Sequence, residues 1–290
     1  MLFEIQHHTD YRYSRPVSEA YVEARLSPPN RPTQQILSHS LDFQPEAGVS
    51  TYTDYFGNEV AFYSMTLRHE QLSIANKVIV RTQVVPLPDE ALGVTIAESR
   101  QLVSSKLPDV FDYLQPTSVV PTGGPSTEWA RRLLPGDAPL GKALEALNTA
   151  IYTKFRYDSN ATENWTPLAT VWKQKAGVCQ DFAHIMLSVL RTAGIPSRYV
   201  CGYIETDPPK KPDGSPGLVG SIATHAWVEA LIPGSHWVAL DPTNKQWCGQ
   251  RHVAMSFGRD FSEAAPVRGT FKGTGEQTMK IKVTMKRLSD

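Results

Sequence analysis

Apolar and polar residues alternate in short runs over residues 1–86, and turn-forming residues separate the runs. Alternation with a period of two is typical of strands that bury one face, and closely spaced turns are typical of antiparallel sandwiches. We therefore predict a β-rich N-terminal domain over residues 1–86 with an antiparallel sandwich-like arrangement. The clearest runs are 19–26, 59–63 and 77–82, with turns at 28–32 and 56–58.

The pattern changes after residue 86. Residues 87–137 mix polar and apolar positions around a Pro/Gly/Ser/Thr cluster at 121–127, which is typical of a connector carrying a short helix. Beyond it we predict a second domain over 138–290, beginning with a helix over 141–155. The proline-rich stretch at 207–217 is predicted to be a solvated loop, in preference to a flap over a site. Residues 277–286 alternate like a strand that closes the sheet of either domain.

An amphipathic helix is predicted over residues 178–193. Its apolar residues fall on one face at 100° per residue, and Gly194 and Pro196 supply a stop signal. Cys179 lies in the first turn, where the helix dipole and free backbone N–H groups favour a thiolate. His184 lies about 140° further round the helix and is expected to have a structural role. Asp181 is expected to cap or pair locally.

A predicted hairpin follows, with strands over 224–231 and 236–241. His225 and Asp241 are each eight residues from Pro233. An odd-length loop centred on Pro233 would place them directly opposite each other on one face, whereas a two-residue turn would place them on opposite faces. In the first arrangement Asp241 orients His225 towards Cys179. A plain strand-end Asp-Pro turn is the alternative for Asp241.

Composition narrows the classes of function. Lys+Arg and Asp+Glu number 29 each, which removes the broad electrostatic case for nucleic acid or an anionic membrane. No apolar run approaches membrane-spanning length. Three cysteines and no signal-like N-terminus favour a cytoplasmic protein without a disulfide framework. The cysteines and histidines lack metal-ligand spacing, so we predict no metal and no cofactor. Cys201 and Cys248 are expected to be packing residues.

These residues resemble the bacterial transglutaminase-like proteins of the papain-like superfamily. The resemblance is carried by specific motifs over nearly the whole chain, including Gly177 to His184, His225 to Glu229 and Asp241 to Asn244. Further motifs at 11–13, 54–58, 258–260 and 266–269 resemble the longer bacterial subgroup and its N-terminal region. The resemblance implies an α+β chain in which a papain-like transglutaminase core, with a Cys-bearing helix on a sheet bearing His and Asp, follows the sandwich-like domain.

The resemblance also implies roles for individual residues. Cys179 would be the nucleophile, His225 the base and acid, and Asp241 the orienting carboxylate, with the Cys179 backbone N–H as one oxyanion donor. Family members take a second donor from an upstream side chain, and Gln174, Trp165 and Trp172 all remain candidates. Tyr157 and Trp227 are candidates for the substrate cleft, although Trp227 could instead shield the histidine or only pack.

The expected reaction is thiol-dependent acyl transfer on a peptide or protein amide. Attack by Cys179 gives a thioester, which water releases in a protease or amidase and an amine releases in a transglutaminase. The bacterial subgroup is regarded as candidate cysteine proteases, which favours hydrolysis or amide exchange over broad cross-linking. The alternative is a catalytically retired transglutaminase-like module that binds peptides. An intact Cys-His-Asp set favours the enzyme.

Overall fold

The computed structural model of the protein describes residues 1–104, 107–206 and 223–289. The loop predicted at 207–217 lies outside these residues. None of the helices in the described ranges is both long and apolar enough to cross a membrane.

The described segments form a mixed α+β structure in which the strands dominate both ends of the chain. The strands are β1 Leu2–Val17, β2 Glu19–Ser27, β3 Gln34–Gln44, β4 Gly48–Thr53, β5 Glu59–Met65, β6 His69–Thr82, β7 Arg156–Tyr157, β8 Ala176–Gly177, β9 Ser197–Ile204, β10 His225–Ile232, β11 His236–Asp241, β12 Gln246–Trp247, β13 His252–Gly258, β14 Val267–Lys272 and β15 Gln277–Leu288. The helices are α1 Asp89–Gly93, α2 Ile96–Ser104, α3 Leu107–Val110, α4 Pro125–Leu133, α5 Leu140–Lys154, α6 Leu168–Gln174, α7 Cys179–Thr192 and α8 Phe261–Ala264, and a 3₁₀ turn spans Phe111–Leu114.

Two antiparallel sheets form the N-terminal sandwich. One has the strand order β15–β1–β6–β3 and the other β14–β2–β5–β4. Buried and exposed residues alternate along β1 and β2, because one face of each strand points into the space between the sheets. Aromatic pairs join the sheets across that space: Phe43 stacks on Tyr63 at 4.9 Å, and Tyr13 meets Phe271 at 5.0 Å. The sandwich-like arrangement predicted from the alternation is confirmed.

The C-terminal strands belong to this sandwich. β15 pairs with β1 along twelve residues, from Leu2 opposite Leu288 to Tyr13 opposite Gln277. β14 pairs with β2 in the other sheet. The sequence left open which domain the strand predicted over 277–286 belongs to, and this pairing assigns it to the N-terminal sandwich. The two C-terminal strands, which the sequence groups with residues 138–290, thus return the chain to the first domain.

α7 packs against a second antiparallel sheet, whose strand order is β12–β11–β10–β9–β13. The helix begins and ends within one residue of its predicted bounds, but it is buried on both faces. Its polar residues therefore have partners inside the protein. Ser188 bonds to Ser126 of α4 at 2.6 Å, and Arg191 donates to the Ser197 carbonyl at 3.1 Å. Such enclosure fixes the position of the first turn, where Cys179 lies.

Side chains of the N-terminal segment satisfy the open edge of the second sheet. Gln34 and Asn58 each bond through their side-chain amide to the backbone N–H and C=O of one residue of β13, Ala254 and Phe257 respectively, at 2.7–2.8 Å. Free backbone groups on an edge strand can pair with another chain. On β13 the two side-chain amides take up the hydrogen bonds of Ala254 and Phe257 instead. The sandwich thus holds the sheet that carries the site.

A buried ion-pair network crosses the same junction. Glu229 of β10 accepts from Arg31 at 2.7 Å and from Arg198 at 2.6 and 2.8 Å. Burial raises the pKa of Glu229, but the two guanidinium groups outweigh it and hold the pKa below its ordinary value. The carboxylate therefore stays ionised between its two partners, and the strand that carries His225 is tied to the N-terminal segment.

Candidate active site

The first turn of α7 is organised around Cys179 by the residues on either side of it. Gly177 of β8 precedes the helix, and the Asp181 carboxylate folds back to accept from the Val178 N–H at 2.8 Å and the Thr162 hydroxyl at 2.6 Å. Asp181 thus pairs locally, as expected. Cys179 is half-buried, whereas residues 180–191 of the helix are buried. Backbone N–H groups of a first turn have no partner within the helix.

Replacing Gly177 with alanine is expected to disturb this turn. An added Cβ would lie 2.5 Å from Oδ2 and 2.9 Å from Cβ of Asp181, so the carboxylate would be pushed off the Val178 N–H. We expect Gly177→Ala to lower the free energy of unfolding by about 1–2 kcal/mol and to slow alkylation of Cys179. Urea unfolding and iodoacetamide labelling measure the two effects. Gly93→Ala is the matched control, because a Cβ there meets nothing within 4 Å; equal behaviour of the two variants would contradict this account.

The hairpin brings His225 and Asp241 together, with a register that differs from the predicted one. The loop is odd-length, but it is centred on Gly234 and spans 233–235, because Ile232 pairs with His236. Val228 pairs with Leu240, so the register continued by one residue sets Asp241 opposite Trp227. The predicted direct opposition of His225 and Asp241 is therefore wrong by two residues. A shift of two preserves the face, and the side chains meet diagonally.

The two side chains form a buried hydrogen-bonded pair. His225 Nε2 donates to Asp241 Oδ2 at 2.8 Å, and both residues are 0% exposed. His225 Nδ1 forms no hydrogen bond of ordinary geometry with any residue in the described ranges. Nδ1 is therefore the ring nitrogen left for the Cys179 thiol, which lies close enough to this imidazole to raise its pKa.

Charge and hydrogen bonding decide the protonation of the pair. Burial alone lowers the pKa of His225, but the charge of Asp241 and the hydrogen bond to it, with a smaller contribution from Cys179, raise that pKa to about 10. Burial raises the pKa of Asp241, while His225 and His252 lower it well below its usual range. The raised pKa of His225 and the lowered pKa of Asp241 both favour an imidazolium beside a carboxylate at neutral pH. An imidazolium is the partner that a thiolate needs.

Asp241 also makes the strand-end turn that was its alternative interpretation. Its Oδ1 accepts from the backbone N–H groups of Thr243 at 3.0 Å and Asn244 at 3.2 Å. Its Oδ2 accepts from the Asn244 side-chain amide at 2.7 Å in addition to His225. The turn and the orientation of the histidine are therefore two uses of one carboxylate, and the backbone of the turn holds Oδ1.

His252 is a residue of this site that the sequence did not reveal. Its Nε2 lies 3.2 Å from Asp241 Oδ2, and its Nδ1 accepts from the Gly249 N–H at 3.3 Å. His225, Asp241 and His252 are spaced closely enough to hold a metal ion. The same spacing also suits a hydrogen-bond network, because Asp241 Oδ2 lies within hydrogen-bond distance of Nε2 of both rings.

The predicted second oxyanion donors have different surroundings. Gln174 uses its side-chain N–H groups on the carbonyls of Ala161 at 3.2 Å and Ala176 at 3.0 Å, so they are engaged. Trp172 is buried against Trp129 and Phe155, under the Lys175 amine. These positions do not support Gln174 or Trp172 as donors to an oxyanion.

Trp165 remains as the candidate among the three. It is 66% exposed, and its ring lies against Phe261 at 6.1 Å. The neighbouring Asn164 carbonyl accepts from the Gln180 side chain at 2.8 Å, which ties this loop to the first turn of α7. The loop therefore carries an exposed indole beside the helix end at which Cys179 lies.

The two candidates for the substrate cleft, Tyr157 and Trp227, differ in exposure. Tyr157 is 38% exposed on β7, which pairs with β8 so that Tyr157 lies opposite Gly177. Burial, and to a lesser degree the charge of Cys179, raises the pKa of Tyr157 to about 12, so its hydroxyl lies beside the thiol as a neutral group. Trp227 is buried, and its ring packs so tightly over Gly202 that a Cβ there would lie 2.5 Å from it. Its position behind the two histidines does not support contact with substrate.

Of the remaining candidate groups, His184 and Cys201 are buried and Cys248 is half-buried. His184 accepts from the Phe261 N–H at 3.2 Å, and burial lowers its pKa to about 4 despite the nearby Asp260. Cys201 lies in the core, where burial raises the pKa of its thiol to about 12. Burial likewise raises the pKa of Cys248. His184 therefore has the structural contact expected of it, and neither of these thiols is prepared for reaction at neutral pH.

A thiol at the start of a helix, backed by a buried imidazole and carboxylate on an antiparallel sheet, defines the papain-like class of fold and site. Sequence models agree with that class. The bacterial transglutaminase-like N-terminal region matches residues 3–81, and the transglutaminase-like superfamily matches residues 127–242.

Individual proteins extend the match. The uncharacterized protein Rv2569c of Mycobacterium tuberculosis is 32% identical over 287 residues, which cover 96% of this chain and 90% of that protein. A protein-glutamine gamma-glutamyltransferase of Pseudomonas aeruginosa is 32% identical over 139 residues, 41% of this chain and 20% of the relative. A crystal structure of a candidate cysteine protease from Cytophaga hutchinsonii has the same fold, with a TM-score of 0.74 at 22% identity over 100% of this chain and 92% of that one.

The chain belongs to the transglutaminase-like superfamily, and it carries the bacterial N-terminal region of that family. This membership confirms the resemblance found in the sequence. It also supports an enzyme whose general chemistry is thiol-dependent acyl transfer.

Proposed function

We propose that this protein cleaves or exchanges an amide in a peptide or protein substrate, with Cys179 as nucleophile, His225 as acid and base, and Asp241 as the orienting carboxylate. The observation that carries the proposal is the buried bond from His225 Nε2 to Asp241 Oδ2, which leaves Nδ1 for the thiol of the half-buried Cys179. A binding module that had lost its chemistry would have no need of a buried, ionised pair behind a reachable thiol.

The first half-reaction forms a thioester. The Cys179 thiolate attacks the amide carbonyl, and the developing oxyanion lies against the Cys179 backbone N–H, with the exposed Trp165 as the proposed second donor. The C–N bond then breaks, and His225 Nδ1 gives its proton to the leaving amine. Asp241 steadies the imidazolium before that transfer and keeps the ring from turning. Tyr157, half-exposed beside the thiol, is proposed to contact the acyl group.

The second half-reaction releases the acyl group. Neutral His225 takes a proton from water or from an amine as that nucleophile attacks the thioester, and the C–S bond breaks to restore the thiolate. Gamma-glutamyl transfer, the activity in the name of the Pseudomonas relative, differs from hydrolysis only in this acceptor. We favour hydrolysis or amide exchange over broad cross-linking.

Intact-protein mass spectrometry tests the proposal without knowledge of the natural substrate. The probe is the p-nitrophenyl ester of N-acetylglycine, an activated acyl donor. We expect one acyl adduct, located at Cys179 by peptide mapping, which clears into buffer as N-acetylglycine or into added ethylamine as the N-ethyl amide. The ratio of these products identifies the preferred acceptor. Adducts spread equally over Cys179, Cys201 and Cys248, or none at Cys179, would refute the proposed chemistry.

A further inference from the structure

A second histidine contacts the same oxygen of Asp241 as His225 does. His252 is 7% exposed, and its Nε2 lies 3.2 Å from Asp241 Oδ2. Because its Nδ1 accepts the Gly249 N–H at 3.3 Å, the neutral ring must carry its proton on Nε2, where the proton points at the carboxylate. The tautomer of His252 is therefore fixed by the backbone and suits donation to Asp241.

The two oxygens of Asp241 are held by different kinds of group. The backbone of the turn at Thr243 and Asn244 holds Oδ1, whereas side chains meet at Oδ2. The backbone bonds fix one end of the carboxylate but leave rotation about that end. The side-chain donors at Oδ2 decide whether this oxygen faces His225 Nε2 along a straight hydrogen bond.

The surroundings of His252 keep it a neutral donor. Burial lowers its pKa, and the neighbouring charges of His225 and Arg251 lower it further, against the opposing effect of Asp241. The rings of Trp227 and His252 pack at an interplanar angle of 79° with their centroids 5.3 Å apart, and this contact holds the plane of the imidazole. The backbone segment between β12 and β13 crosses from one edge of the sheet to the other, which brings His252 to Asp241 although two strands separate β11 from β13.

We propose that His252 is a positioning residue of this site, which aims Oδ2 of Asp241 at His225 through its Nε2–H. The inference rests on the proposed function, since it assigns His252 a part in the same reaction. Without this donor Oδ2 keeps only the Asn244 amide beside His225, and the carboxylate tilts on its Oδ1 anchor towards Asn244. The imidazolium of His225 then loses stabilisation, and the Cys179–His225 ion pair forms over a narrower range of pH.

Two amide substitutions separate the two hydrogen bonds of His252. In His252→Gln the side-chain amide reaches the Nε2 position and retains a donor to Asp241. In His252→Asn the shorter amide reaches only the Nδ1 position, so it retains the partner of the Gly249 N–H and loses Asp241. Both variants are polar and of similar size. A role confined to anchoring the turn at Gly249 predicts that the asparagine variant is the less affected of the two.

The first readout is the acid dissociation of His225, followed by NMR of protein labelled with ¹⁵N-histidine. We expect the dissociation constant of the His225 imidazolium to rise about tenfold in His252→Asn and to stay within threefold of the parent in His252→Gln. The second readout is p-nitrophenol release from the activated ester, where we expect the same order and a pH profile narrowed at both limbs in His252→Asn.

The two readouts test the positioning role and the proposed function separately. An unchanged His225 dissociation constant in His252→Asn, or a larger change in His252→Gln, would overturn the positioning role whether or not the protein has activity. The expected NMR result combined with no ester turnover by the parent protein would support the positioning role and refute the proposed function.

Discussion

Replacing Cys179 with alanine is expected to abolish acyl transfer while the fold remains intact. The thiol supplies the only covalent step in the proposed reaction, so loss of the nucleophile should lower p-nitrophenol release from the activated ester by at least about 10⁴-fold. Cys179 is half-buried at the start of α7, and alanine is the best helix former, so we expect a change in unfolding free energy within about 1 kcal/mol.

Cys248→Ala is the matched control for this substitution. Cys248 is also half-buried, but burial raises the pKa of its thiol, so alkylation or loss of this residue should leave ester turnover unchanged. Ester turnover and urea unfolding are measured on both variants. Cys179→Ala protein that keeps more than a tenth of the parent rate would contradict the assignment of the nucleophile.

Replacing Asp241 with asparagine is expected to be almost as damaging. Within the described ranges, each hydrogen-bond partner of this carboxylate is a donor, with the backbone N–H groups at Oδ1 and His225, His252 and Asn244 at Oδ2. An amide NH₂ on either side would face donors. His225 would escape the clash by accepting at Nε2, which moves its proton to Nδ1 and removes the base for the thiol. An enforced wrong tautomer costs about 10⁴-fold in rate.

Asp260→Asn is the control for removing a buried carboxylate. Asp260 caps α8 by accepting from the Ser262 N–H at 2.8 Å, and asparagine is an equally good cap. We expect ester turnover to fall about 10³–10⁴-fold in Asp241→Asn and less than threefold in Asp260→Asn. ¹⁵N chemical shifts of the His225 ring report the tautomer directly. A rate within tenfold of the parent for Asp241→Asn would contradict the role of this carboxylate.

The helix that carries Cys179 was predictable because local signals agree along it. Its apolar residues recur at helical spacing, and Gly194 with Pro196 ends it, so the observed bounds Cys179–Thr192 lie close to the predicted ones. Burial of its polar face was not predictable. Ser188 and Arg191 meet partners on α4 and β9, and contacts with elements far along the chain leave no periodic signal in the helix itself.

The hairpin shows where sequence reasoning reaches its limit. Any loop with an odd number of residues places His225 and Asp241 on the same face of the hairpin, and that part of the prediction holds. The register depends on which residues form the loop. Gly234 and Ser235 adopt left-handed conformations, with φ of 82° and 61°, which centres the loop one residue beyond Pro233. A shift of one residue in the loop centre moves the pairing by two.

His252 and the oxyanion candidates depend on tertiary structure alone. His252 reaches Asp241 because its segment crosses the end of the sheet, and a lone histidine eleven residues after an aspartate gives no hint of that path. Gln174 and Trp172 are near Cys179 in sequence. The side-chain amide of Gln174, however, donates to backbone carbonyls, and Trp172 is enclosed in an aromatic cluster. Proximity along the chain was therefore a poor guide to proximity at the thiol.

The most direct test of the central claim is the pH dependence of Cys179 alkylation by iodoacetamide between pH 5 and 9, with the cysteines resolved by peptide mass spectrometry. An unperturbed thiol reacts with a midpoint near pH 8.5. Because the pKa of His225 is raised to about 10, its imidazolium persists across this range and should hold Cys179 as a thiolate. The account predicts rapid labelling of Cys179 at pH 5–6, lost in His225→Ala. Labelling of Cys179 that rises only near pH 8.5, as for an unassisted thiol, would contradict it.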